Sequence, residues 1–168
     1  MSSFTHEYQG SATVTFTLDN GDTKGGTYRY EATVNDVNNS SPQFESVPLW
    51  YIMNGCEDQK YYVNPIDPEG DRIRCRWSTY SEAREMAWTD SNGVQHLQQF
   101  SLDEENCIVT YHPEKNQVGE GNKPIAIQVE DFDASGTLLH SAPLNFGAIV
   151  FTPEVEQAQR LGGGHVKP

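Results

Sequence analysis

The chain has 168 residues, with 24 acidic against 11 basic side chains and a formal net charge of −13. That charge repels a phosphate backbone and an anionic lipid surface, which argues against both as partners, and no apolar run is long enough to span a bilayer, which argues against membrane insertion. Hydrophobic residues make up 36% and aromatics 11%; they fall in ordered strand-like runs, a composition for one β core rather than a disordered chain.

The first ten residues, MSSFTHEYQG, lack the basic and apolar regions of a signal peptide. The expectation is either an intracellular protein or a piece of a longer secreted one, and the remaining features favour the second. Ala12, Val14, Phe16 and Leu18 alternate with threonines, Asn20-Gly21 is a hairpin signal, and Tyr28, Tyr30, Ala32 and Val34 alternate again. Residues 1–34 therefore read as an N-terminal β-hairpin, either the end of a preceding domain or an added edge for the next. Residues 35–42, NDVNNSSP, form a polar linker.

From residue 43 to 152 strands recur at regular spacing. They are expected at Leu49–Met53, Lys60–Asn64, Arg72–Ser78, Val94–Phe100, Cys107–Tyr111, Pro124–Val129 and Leu144–Phe151, with a short helical turn around Ser81–Trp88 and an acidic turn at Asp103-Glu104-Glu105-Asn106. About seven strands with turn signals between them predict an all-β, immunoglobulin-like Greek-key sandwich. In residues 153–168, Thr152-Pro153-Glu154 starts a short helix and Gly162-Gly163-Gly164 ends it, leaving a flexible tail.

The sharpest chemical signal is IDPEGDRIRCRW, Ile66 to Trp77. Pro68 and Gly70 form a tight loop that carries Asp67, Glu69 and Asp71, carboxylates that repel one another unless a cation lies among them. Asp36 and Asn38 lie in the linker, and Asp131 and Asp133 follow a late strand. In a Greek-key sandwich these segments share one end, so all seven are candidate Ca²⁺ ligands, enough for a shell of about 6–8 oxygens. The bland alternative is a solvated acidic end. Trp77 reads as core; adjacent Tyr61 and Tyr62 cannot both face inward. Cys56, Cys75 and Cys107 are too widely spaced for a zinc knuckle and read as one disulfide plus one odd thiol. The pairing stays open, with Cys56–Cys107 put first. Asn38-Asn39-Ser40 and Asn39-Ser40-Ser41 are glycosylation sequons, which adds a glycoprotein expectation.

The linker DVNNSSP resembles the cadherin motif D-x-N-D-N-x-P, DPEGD resembles the cadherin D-x-D element, and the Asp131 segment is similar to the late cadherin aspartate. That resemblance implies Ca²⁺ held between successive domains. NNSSP, Gly55-Cys56, DPEGDRIRCRW, LDEENCIVTY, PIAIQVEDF and SAPLNF together resemble a module of large extracellular animal proteins that often carry von Willebrand factor D and EGF-like domains. Such modules usually have a further cysteine pair where Ser81–Trp88 stands here without one. DPEGD followed by the strand to Trp77 is also similar to polycystic-kidney-disease repeats. These resemblances imply an extracellular, cadherin-like, non-enzymatic structural or cell-adhesion module, with neighbouring domains, matrix or cell-surface proteins as partners. A lectin-like module that binds glycan or protein through exposed tyrosine and tryptophan is the alternative. A two-carboxylate hydrolase ranks last. The five histidines show no metal spacing, and the sequence has neither a Ser-His-Asp pattern with nucleophile-elbow glycines nor a phosphate loop.

Overall fold

A computed structural model describes residues 4–17, 23–35, 38–44, 49–56, 58–84, 87, 98–113 and 120–152, with side chains from residue 29 onward. Its strands are β1 (Phe4–Thr17), β2 (Thr23–Val34), β3 (Leu49–Met53), β4 (Gln59–Tyr62), β5 (Arg72–Trp77), β6 (Phe100–Asp103), β7 (Ile108–Tyr111), β8 (Gly121–Phe132) and β9 (Leu138–Phe151); α1 spans Tyr80–Ala83. The protein is an all-β sandwich. One six-stranded sheet runs β1-β2-β9-β8-β5, with β3 also on β9, and a three-stranded sheet runs β4-β7-β6.

Strand β9 organises the large sheet. Along one edge it pairs with β8 over nearly its full length. Its other edge is shared: β2 takes Ser141 and His140, and β3 runs parallel to it from Gly147 to Phe151. The N-terminal hairpin thus continues the sheet through β2. The expected Asn20-Gly21 turn and the helical tail at 153–168 lie outside the described residues.

Period-2 alternation sets the core. Ile125, Ile127 and Val129 of β8 face Leu144, Phe146 and Ala148 of β9, and meet Val109 and Tyr111 of β7 and Ile52 of β3. Trp77 packs against this core, as expected, and so do Trp50 and Tyr61. Tyr61 stacks 4.5 Å from Phe146, while Tyr62 turns outward at 53% exposure. Buried Tyr111 has its hydroxyl satisfied by Asn54 at 3.0 Å.

The two sheets are joined covalently, but not by the pair put first. Cys75 on the inward face of β5 bonds Cys107 in the β6–β7 turn, with Cα atoms 5.2 Å apart, and Cys56 is free and exposed. Cys56 lies in the turn after β3, whereas the alternation of β5 aims Cys75 at the other sheet. A bridge closing a loop of this size typically stabilises by about 3–4 kcal/mol.

Several expected strands change bounds. Lys60–Asn64 becomes Gln59–Tyr62; of the segment proposed at Val94–Phe100 only 98–100 lie among the described residues, where β6 starts at Phe100, and residues 88–97, including Trp88, lie outside them. Strands β8 and β9 extend beyond their apolar runs because their polar residues find partners: Glu130 with Arg76, Asp131 with His140. The helical turn is a single turn, started by Thr79, whose N–H and hydroxyl both reach the Glu82 carboxylate at 2.8 Å.

Candidate functional site: an acidic pole

The β4–β5 loop is folded by one aspartate. Asp67 Oδ1 accepts the backbone N–H groups of Glu69 (2.9 Å) and Asp71 (2.8 Å). Gly70 takes φ +86°, a left-handed conformation that a side chain disfavours, and so closes the turn. The geometry swings the Asp71 carboxylate back toward Asp67. From the neighbouring strand of the same sheet, where it pairs with Ile73, Asp131 arrives near the end of β8, and a bulge between Asp131 and Phe132 interrupts the β8–β9 ladder. Ligand oxygens of Asp67, Asp71 and Asp131 all lie within 4.8 Å of one another.

Their environments differ. Asp131 is 0% exposed and accepts the His140 backbone N–H (2.6 Å), the His140 Nδ1–H (3.0 Å) and the Asn39 amide (3.1 Å). The second oxygen of Asp67, Oδ2, is closed off from solvent and has no hydrogen-bond partner. Among the described residues no lysine or arginine pairs with Asp67 or Asp71. Two carboxylates at such separations repel by roughly 3 kcal/mol at an effective dielectric of about 20. A sealed, unpartnered carboxylate oxygen facing two further carboxylates has the chemistry of a hard-cation ligand.

The seven sequence candidates divide. Asp67, Asp71 and Asp131 converge. Glu69 turns away and accepts the Ser40 hydroxyl (2.8 Å) and backbone N–H (3.3 Å). Asp133 lines a shallow depression with Asp71 but spends Oδ1 on the β8–β9 turn, accepting from Ser135 and Thr137. The Ser135 hydroxyl and the Thr137 N–H hold its carboxyl below the usual range. Asn38 is an exposed turn residue, and Asp36 lies outside the described residues. Two members escape the sequence analysis. Asn39 reads there as part of a sequon and of the linker motif, not as a site residue. His140 shows no metal spacing, and only its pairing opposite Asp131 across β8 and β9 brings it into the site.

The linker is stitched along this pole. Asn35 donates its backbone N–H to Leu139 O (2.7 Å) and its amide to Leu138 O (3.0 Å). Asn39 then reaches Asp131, Ser40 reaches Glu69, and Gln43 exchanges two backbone hydrogen bonds with Ile66. Any change in charge at the cluster therefore bears directly on the strap that joins β2 to β3. Beside the Gln43–Ile66 bridge an open groove of about 510 Å³ is lined by Phe44, Tyr61, Tyr62, Val63 and Asn64.

No family model matches the chain, and no curated protein does. Among solved structures, a nucleoside hydrolase-related hypothetical protein from Saccharophagus degradans, described as associated with carbohydrate metabolism, is similar at 17% identity over 68% of this chain, with a TM-score of 0.39. This chain spans 26% of that protein, and a likeness of this size carries no argument about fold or function.

Proposed function

We propose that the chain is an extracellular structural or adhesive module, cadherin-like at one end, whose acidic pole is completed by Ca²⁺. The carrying observation is the sealed, unpartnered Oδ2 of Asp67 inside a triangle of three carboxylates. Asp67, Asp71 and Asp131 would hold the ion; linker and loop oxygens with water would complete a shell of about 6–8, which a flexible loop offers Ca²⁺ more readily than the strict octahedron of Mg²⁺. The ion would offset the mutual repulsion of the carboxylates. Because Asn39 and Ser40 are tied to Asp131 and Glu69, it would also fix the linker, and through β2 the angle of the N-terminal hairpin. A cross-sheet disulfide supports an oxidising compartment. The arrangement β3-β9-β8-β5 facing β4-β7-β6 supports an immunoglobulin-like Greek key.

The test is thermal unfolding of the whole chain with millimolar calcium and with a chelator. The expected result is a higher melting temperature with calcium, returned by chelation, and terbium luminescence sensitised by nearby aromatics. An unchanged melting temperature at millimolar calcium removes the ion and leaves a plain sandwich. A second reading, a lectin-like or peptide-binding module, is favoured by the groove with exposed Tyr62 and Ile66 at 53% and 67%. Glycan binding that survives chelation and is lost in Tyr62→Ala would replace the first reading.

A further inference from the structure

The outer face of the small sheet carries a second constellation, independent of the acidic pole. In β4-β7-β6 the central strand brings His112, just beyond β7, between Asp58, just ahead of β4, and Ser101 of β6. The pairing of Gln59 with Tyr111 sets Asp58 opposite His112, and the pairing of Phe100 with Tyr111 sets Ser101 one step along. Val109 and Tyr111 fill the core, so alternation turns Thr110 and His112 outward. His112 Nε2 lies 2.7 Å from Ser101 Oγ, and His112 Nδ1 lies 3.0 Å from Asp58 Oδ2.

These contacts fix the imidazole. A carboxylate only accepts, so Nδ1 carries the proton that it donates to Asp58. In the neutral ring Nε2 then holds the lone pair, and the Ser101 hydroxyl donates to it. That is the tautomer and orientation of a general base at a serine, with each nitrogen in its proper role. The His112 backbone N–H bonds Gln99 O at 2.7 Å, which anchors the ring's own strand position. The His112 side chain is 17% exposed and thus largely covered, while Ser101 is open to solvent and reachable.

We propose that Ser101 is an activated nucleophile that accepts acyl groups from small activated carboxylic esters. In the first step Oγ attacks the ester carbonyl carbon while its proton passes to Nε2. A new ester bond forms at Ser101, the bond to the leaving alcohol breaks, and the alcohol departs with that proton. Water, deprotonated by the same nitrogen, then attacks the acyl-serine, releasing the carboxylic acid and restoring the hydroxyl. An open sheet face suits a small donor rather than a long enclosed one. The site lies before β4, whereas Asp67 lies beyond its other end, so this chemistry is independent of calcium.

The experiment incubates the full chain with an alkyl fluorophosphonate and, separately, with 4-nitrophenyl acetate, and reads intact mass, adduct position and nitrophenolate release. The expected result is one predominant adduct on Ser101, absent in Ser101→Ala and slowed about tenfold or more in His112→Gln. Asp58→Asn should give an intermediate loss, and chelator should have no effect. Melting curves show that each variant is folded. No adduct at Ser101 in the folded wild type, or equal rates in wild type and His112→Gln, overturns the proposal and leaves the three side chains as a polar ladder between strands.

Discussion

Two carboxylate-rich regions border β5 and differ in what the chain itself sets against their charge. On the face opposite Cys75, Arg72, Arg74 and Arg76 alternate along the strand. Arg72 pairs with Glu105 at 2.8 Å, Arg74 with Glu104 (2.8 Å) and Glu105 (2.9 Å), and Arg76 with Glu82 (2.7 Å) and Glu130 (2.8 Å). Each acid there meets a guanidinium that the chain itself supplies. At the start of the same strand Asp71 joins Asp67 and Asp131, where the described residues set no lysine or arginine against Asp67 or Asp71 and Asp131 has the His140 ring as a hydrogen-bond partner. Period-2 alternation brings charge partners together on one face. The tight loop gathers like charges without a guanidinium among them, the arrangement on which the proposal of a bound cation rests.

Calcium should separate the two regions most sharply. An ion that binds only the folded state stabilises it by about 2.7 kcal/mol at a hundredfold excess over its dissociation constant. The acidic pole should show this as a raised melting temperature, and the arginine flank should contribute nothing to it. Asp71→Asn makes the contrast stronger, because it removes one of three clustered charges. Without calcium the variant should melt higher than wild type, and with calcium it should gain little. If Asp71→Asn destabilises the calcium-free chain and leaves the calcium response intact, the cluster is not the ion site.

The next largest effect belongs to Arg76. Its guanidinium is raised above the ordinary arginine range, first by the Glu82 hydrogen bond, against the lowering effect of burial. Glu130 and Glu82 are mostly covered, at 11% and 15% side-chain exposure. Arg76→Ala strands both carboxylates and should cost about 2 kcal/mol in denaturant unfolding. Arg76→Lys should recover only part, since one ammonium cannot reproduce the fork that meets two acids.

The strand Arg72–Ser78 and the core role of Trp77 were legible from the sequence. The same alternation puts Cys75 on the face of Trp77 and the arginines on the other, but the pairing put first, Cys56–Cys107, passed over it. The acidic pole was legible only in part. Asp67 and Asp71 belong to one loop, and Asp131 was drawn to them by strand order. Whether Glu69 and Asp133 join depends on which backbone N–H each carboxylate caps, and sequence spacing does not distinguish an oxygen that caps a turn from one left over. His140 and Asn39 enter only through the β8–β9 register and the path of the linker. The Ser101–His112–Asp58 arrangement is hidden for the same reason. Its members are far apart in the chain and meet only once β4, β7 and β6 are paired, with no glycine elbow to mark the serine.

Acid should weaken the flank at one identifiable group. Burial alone would raise the Glu82 carboxyl, but the Arg76 guanidinium and the Thr79 N–H and hydroxyl outweigh it and hold it below its ordinary value. A carboxyl depressed in the folded state stabilises fully above its unfolded pKa of about 4.3, and that contribution is lost as the pH falls through the lower folded value. Melting temperatures taken from about pH 6 down to about pH 3 should therefore fall less steeply in Glu82→Gln than in wild type. Arg76 stays charged throughout, so the difference reports Glu82 together with any change it causes at Glu130, which shares the same guanidinium. Parallel curves would mean that the Arg76–Glu82 contact adds no pH-dependent stability.

The smallest effect is expected where the flank looks most crowded. Arg72 and Glu105 are 62% and 55% exposed, and Arg74 also reaches Glu105. The Glu105 carboxyl is held below its usual range first by the Arg72 hydrogen bond. Water and salt screen such a pair, and its loss leaves Glu105 with a second guanidinium. Arg72→Ala should therefore move the melting temperature by no more than about one degree at physiological salt. Arg72→Glu should move it further, because it adds a negative charge beside Asp71 and against Glu105. Calcium should then recover part of that loss, since an ion held by Asp67, Asp71 and Asp131 would lie among the carboxylates that the new charge repels. Failure of calcium to recover any of it would place the Asp71 carboxylate outside the ion's reach.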